Sequence, residues 1–217
     1  LVGTETSRVE AVMVKGDPQD DLGELAMQVC DKIAQRVSDQ GAKLTGEDLI
    51  TTDPLPGLVA TAKKLAAKPT VAIVVTEEHI SGPRPVVILD PAVETELKKI
   101  LIQAGFTIKD VKQNELANWA PTDAWPQTLD GVDMVLTGEA LSEFASRIGS
   151  LVNCSARAEI NLIDRKQGKV VLADRVTARA TDLSENVAGK KALQAAGRKL
   201  GINVLKHVTK TTQSVKQ

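Results

Sequence analysis

Glu77, Glu78 and His79 are the first residues of this 217-residue chain whose types and spacing could do chemistry. Two carboxylates beside an imidazole can bind a metal ion or move a proton. They follow the apolar run Val71 to Val75, and the end of a buried strand is where α/β active sites gather. The rest of such a site is missing. The only other histidine, His207, lies far along the chain and at no ligand spacing. A polar strand end is therefore the more ordinary reading. Ser142, Ser146 and Ser150 are candidate nucleophiles with no evident base near them in sequence. No glycine-rich phosphate loop and no Gly-x-Ser-x-Gly elbow occurs. The expectation is a protein that is not an enzyme, with no catalytic residue, no metal and no cofactor.

Binding is the other chemistry to weigh. Trp119 and Trp125 lie in one loop beside Pro121 and Pro126. An exposed tryptophan buries a large area in an interface at little entropic cost. The alternative is a satellite cluster that closes the end of a sheet. Arg157, Arg175 and Arg179 fall on the polar side of two alternating segments. They could bind phosphate or RNA, but the row is sparse and no ring interleaves it. A solvated or ion-pairing face is preferred. Cys30 and Cys154 form no zinc or redox spacing. Two buried free thiols, or one disulfide between them, are the alternatives. Gly197 and Gly201 make a Gly-x-x-x-Gly step, which among so many lysines and arginines implies close packing on a sheet, not a membrane contact.

Composition narrows the class. Aromatic residues are 2% and tyrosine is absent, which disfavours base-stacking platforms. Net charge is −1, so no global field favours nucleic acid or an anionic membrane. No uncharged run is long enough to span a bilayer. Residues 1–53 carry a net of −6, residues 54–164 a net of −4 and residues 165–217 a net of +9. An acidic start and a basic end can attract within one chain or head to tail between copies.

These residues need elements to hold them. Arg8 to Lys15 alternates like a short strand. Asp17-Pro18 signals a helix start, with an apolar stripe at Leu22, Leu25, Ala26, Val29, Ile33 and Val37 and a stop at Gly41. Asp53 to Gly57 reads as a breaker and Leu58 to Ala67 as a short helix. Val71 to Val75 reads as a buried strand, Ser81 to Pro85 as a loop, and Val93 to Ala104 as a helix closed by Gly105. Phe106 to Asp110 and Val132 to Ala140 read as strands. Residues 151–164 alternate cleanly, turn at Asp164 to Lys169 and return to Ala180, which is a long hairpin. Asp182 to Glu185 resembles a capping box before a helix reaching about His207, and a polar tail follows. The order predicts an α+β fold, a mixed β-sheet with a long antiparallel hairpin and helices packed on one face.

Three segments carry a resemblance: Val132 to Ala140 (VDMVLTGEA), Cys154 to Asp164 (CSARAEINLID) and Arg165 to Asp174 (RKQGKVVLAD). With the strand TVAIVV at Thr70 to Val75 and the helix ending at Gly105-Phe106, residues 69–208 resemble the CsgG-like periplasmic domain and the TolB N-terminal domain. Residues 8–40 resemble the N-terminal module of flagellar assembly protein T-like proteins. The domains expected are 1–68, a strand–helix segment, 69–208, the CsgG/TolB-N-like domain, and 209–217, the tail. The pore-forming hairpins and the anchor cysteine of the CsgG family have no counterpart in the sequence, so pore formation is not implied. The resemblance implies a non-enzymatic cell-envelope or secreted protein: periplasmic, outer-membrane-associated or extracellular, its leader removed. It implies a protein that works by contact with itself, in a ring or filament, or with other envelope proteins. The alternative is a monomeric accessory or ligand-binding domain that regulates an envelope enzyme or secretion system. No nucleic acid and no membrane span is expected.

Overall fold

The computed structural model describes residues 1–3, 6, 8–17, 19, 21–45, 53–80, 85–87, 91–112 and 124–214. The chain divides into two units, 1–52 and 53–217.

Among its described residues the first unit holds one helix, α1 (Leu22–Thr45). Its start is set by Asp21, not by Asp17: the Gly23 N–H donates to Asp21 Oδ1 at 2.7 Å. Gly41 does not stop it and lies inside the helix. The strand expected at Arg8 to Lys15 does not form. Only a bridge from Val9 to Val2 occurs there, and Met13 is 74% exposed. The Gly3 N–H donates to the Arg8 carbonyl and the Glu10 N–H to the Leu1 carbonyl, each at 2.9 Å, and the pairing stops at that single bridge.

The second unit starts with α2 (Leu55–Lys63), for which Pro54 is the N-cap. The proline pair read as a breaker thus opens a helix, where missing N–H groups cost nothing. Leu55 and Ala62 of α2 join the main core, so this helix belongs with the C-terminal unit. Six strands follow as one sheet: β1 (Thr70–Ile80), β2 (Pro85–Val87), β3 (Thr107–Lys109), β4 (Met134–Ile148), β5 (Leu151–Asp164) and β6 (Lys169–Asp182). The order is β2-β1-β4-β5-β6, and β3 pairs the start of β1. β1 runs parallel to β3 and β4; the other pairings are antiparallel. The helices α3 (Ala92–Gln103) and α4 (Glu185–Ser214) pack on one face. This is the mixed α+β sheet expected.

One aliphatic core fills the space between sheet and helices. Val71, Ile73 and Val75 of β1, Leu136 of β4, and Ala156, Ala158, Ile160 and Leu162 of β5 meet Leu97 and Ile100 of α3 and Leu193 and Leu200 of α4. The hairpin turn is held by Asp164: its Oδ1 accepts the N–H groups of Lys166 at 2.9 Å and Gln167 at 3.0 Å, and Gly168 takes φ +63°. Gly197 and Gly201 allow close approach, but to α3 and not to the sheet. A Cβ on Gly197 would lie 2.9 Å from Val93 Cα, and one on Gly201 would lie 2.6 Å from Ile100 Cδ1.

Other boundaries move too. β1 continues through Glu77, Glu78 and His79, and β4 continues eight residues past Ala140 because β5 pairs with it as far as Ile148. Residues 209–214 are helical rather than tail, and Thr209 is buried with its hydroxyl donated to the Leu205 carbonyl at 2.7 Å. At the head of α4 no capping box forms. Asp182 Oδ1 accepts the Leu183 N–H at 2.7 Å, and Lys191 Nζ holds Oδ2 at 2.8 Å, so the Lys191 bond first, then the backbone, lowers the Asp182 pKa.

The outer edge of β6 is partly occupied. Lys199 Nζ from α4 donates to the Thr177 carbonyl at 2.8 Å, and Asp174 Oδ1 accepts the Arg175 N–H at 2.8 Å. Charged groups spent this way blunt an edge against further strands.

Candidate functional site, a buried histidine and a charged open face

Alternation along β1 sends Glu77 and His79 to the helix side and Thr76, Glu78 and Ile80 to the other. Glu77 is 2% exposed, yet its carboxylate is fully used. Oε2 accepts the Ala92 N–H at 2.7 Å and Oε1 the Glu94 N–H at 2.9 Å, which are unpaired donors at the start of α3. Glu94 answers by accepting the Val75 N–H at 3.1 Å. Burial raises the Glu77 pKa, against those backbone N–H groups, which lower it. Glu77 is a cap supplied by a strand to a helix.

His79 finds a base's partner that the sequence does not show. Its Nδ1 lies 2.8 Å from Ser142 Oγ on β4, and its Nε2 lies 3.7 Å from Glu185 Oε1 on α4. A serine, a histidine and a carboxylate in line have the composition of a nucleophilic triad. The site is closed, however. Ser142 is 0% exposed and His79 is 7% exposed. Gly189 of α4 lies so near that a Cβ on it would come within 2.8 Å of the ring. No acyl group can reach Ser142 in this packing. Among the described residues no set of three or more histidine, cysteine or acidic side chains could hold a metal.

The opposite face is open. Strand register arranges it in rows that run from β1 to β6. One row is Thr76, Glu139, Glu159 and Arg175; the next is Glu78, Leu141, Arg157 and Thr177; the third is Ile80, Glu143, Ser155 and Arg179. Carboxylates thus lie on β1, β4 and β5, and arginines on β5 and β6. Arg157 pairs with Glu159. Among the described residues Glu78, Glu139, Glu143, Arg175 and Arg179 have no ion-pair partner. Glu139 stands directly opposite Glu159, a like-charge pairing that costs stability on an isolated sheet. Thr76, Glu78, Glu139, Leu141, Arg157 and Glu159 line a shallow hollow of about 230 Å³. All three arginines singled out from sequence therefore share this face. The acids on β4 were missed because only the pairing of β4 with β5 brings them there.

The remaining candidates separate. Trp125 is half-buried against a small cluster of Ala72, Val74, Val111, Leu129, Val132 and Val135, which closes one end of the same face. Trp119 lies outside the described residues. No disulfide joins the cysteines, and they are not two buried thiols either. Cys30 is a free thiol exposed on α1, and Cys154 is a free thiol buried on β5 with Sγ 3.5 Å from the Glu185 carbonyl. Burial first, then the Glu185 charge, pushes the Cys154 thiol up to about 11. The basic C-terminal stretch is not one patch: Arg165 pairs with Asp130 at 2.9 Å, Lys166 with Asp133 at 3.6 Å, and Arg198 with Asp53. No described helix is long and apolar enough to cross a membrane.

No family model matches the sequence, and no curated protein matches it. Solved structures with similar backbones exist. A DUF330 protein from Xanthomonas campestris is 12% identical with a TM-score of 0.41, over 69% of this chain and 90% of that one. A minor lipoprotein from Acinetobacter baumannii is 15% identical with a TM-score of 0.38, over 67% of this chain and 93% of that one. The PelC dodecamer from Paraburkholderia phytofirmans is 16% identical with a TM-score of 0.40, over 63% of this chain and 88% of that one. These likenesses are loose, and no activity is transferred from them.

Proposed function

We propose that this chain is a non-enzymatic protein-contact module of the cell envelope, of the CsgG/TolB-N type, which works by associating with copies of itself. The reading is supported by the motifs at Val132 to Ala140 and Cys154 to Asp174 and by the α+β fold around them. The observation that carries it is the open sheet face, where acids and arginines without ion-pair partners lie on opposite sides of β5. Charges held on a rigid sheet favour a complementary protein surface and set orientation more than affinity. The closed packing over Ser142 weighs against catalysis at the residues best suited to it.

Sedimentation velocity on the whole chain tests the reading. Association should be seen at low ionic strength and should weaken as salt rises, because exposed pairs are screened beyond about 10 Å at 0.1 M. A chain that stays monomeric at every concentration and salt level would rule self-association out.

A further inference from the structure

The open face carries more than a tendency to associate; it carries an orientation. We infer that two copies pack open face to open face about a two-fold axis lying along β5, so that Glu139 and Glu143 of each meet Arg175 and Arg179 of the other. The inference rests on the self-association reading above and names the surface and the partner for it.

Register supplies the argument. Glu139 and Arg175 lie in one row, on β4 and β6, with Glu159 of β5 between them. Glu143 and Arg179 lie in another, with Ser155 between them. Neighbouring strands are about 4.8 Å apart, so each acid stands about 10 Å from the arginine of its own row. A half-turn about an axis along β5 keeps the rows level and exchanges the β4 and β6 sides. Glu139 then faces Arg175 of the second copy and Glu143 faces its Arg179. The other in-plane axis, across the strands, leaves β4 over β4 and β6 over β6, with acids on acids and arginines on arginines. The charges without ion-pair partners therefore select one of the two ways that face-to-face sheets can be related by symmetry, while Arg157 and Glu159 of β5, already paired with each other, meet their own counterparts on the axis. Strands kept in line by that axis have the aligned packing common to β-sandwiches.

Glu78, Glu139 and Glu159 line one hollow together with Arg157, and Arg175 is exposed beside a second one. Glu159 is already paired with Arg157 there, and an arginine from a second copy can supply the partner that Glu139 lacks. Leu141, Ile80, Ile148 and Leu151 add apolar area on the same face. Edge-to-edge pairing through β6 is opposed by Lys199 and Asp174, which already hold its Thr177 carbonyl and Arg175 N–H. Such a contact is isologous and closes as a dimer.

The test is charge exchange, read by sedimentation equilibrium at low salt with circular dichroism as the check on folding. R175E/R179E and E139R/E143R should each weaken the dimer by at least about tenfold, because each puts like charges together. The quadruple variant carrying all four changes should restore it to within about threefold of the original chain. The changed residues are exposed, so the far-ultraviolet spectra should be unaltered. Doubles that dimerise like the original chain, or a quadruple no better than the doubles, would overturn the arrangement while leaving self-association through another surface standing. An original chain that is monomeric throughout would overturn both, and would leave the face to a different protein.

Discussion

His79 Nδ1 and Ser142 Oγ lie 2.8 Å apart between β1 and β4, directly under Gly189 of α4. The pair ties two parallel strands to each other and requires a helix position without a side chain above it. Gly189→Ala would gain roughly 1 kcal/mol of helix propensity. It would also drive a methyl group into the imidazole and the serine hydroxyl, at a cost of about 1–3 kcal/mol. The overlap wins, so the urea midpoint should fall. Ser142→Ala should lower it too, at a stability cost of about 1–3 kcal/mol, since it strips a buried ring nitrogen of its partner. A midpoint unchanged in both variants would show that the contact holds nothing.

Glu77 gives the fold a pH dependence with a definite sign. Its folded pKa is raised above the ordinary 4.5 because burial outweighs the N–H groups it accepts. The folded chain therefore holds the proton more tightly than the unfolded chain. The stability this contributes is full below the unfolded value and is lost as pH rises through the folded one. Glu77→Gln should flatten the stability profile in that window. It should also cost about 1–3 kcal/mol, because an amide offers one acceptor where two N–H groups wait. Urea titrations from pH 4 to pH 8 measure both effects.

The two thiols should react very differently. Cys154 is buried, with its pKa pushed up to about 11, so at pH 8 roughly one molecule in a thousand carries the thiolate. Cys30 is exposed on α1. A thiol-specific disulfide reagent should label one equivalent rapidly in the folded chain and the second only on addition of denaturant. Cys30→Ser should abolish the fast phase and leave the slow one. Two fast equivalents would show that the core around Val152, Cys154 and Ala188 opens readily.

Much of the second unit can be read from its residues. The β5–β6 hairpin, its turn at Asp164 and the stripe of α3 are local patterns, and the chain obeys them because one face of each must be buried. The second half of β4 is different. Leu141 to Ile148 has no clean alternation and is a strand because β5 pairs with it. The functional groupings fail for the same reason. Ser142 and His79 lie on strands separated by a whole helix and loop, and nothing in either segment announces the other. Arg175 and Arg179 stand out as an alternating polar row, while their in-row counterparts Glu139 and Glu143 depend on two registers. In the first unit, the stripe of α1 predicted burial, but Leu22 is 84% exposed. Periodicity states which residues would share a face and not whether anything covers it.

The parallel pairing of β1 with β4 sets an order of events as well as a shape. The β4–β5–β6 meander closes through tight turns, whereas β1 must return across β2, α3 and β3 before it can pair. Loop closure over that span is slow compared with hairpin formation. β1, to which β2 and β3 are paired, then docks after the meander, and it brings the Glu77 and His79 side chains with it. Their water is shed only in that closing step. Pulse-labelled hydrogen exchange during refolding should find the amides of β5 and β6 protected before those of Ile73 to Glu77, and a reversed order would mean that the sheet is nucleated from its centre instead.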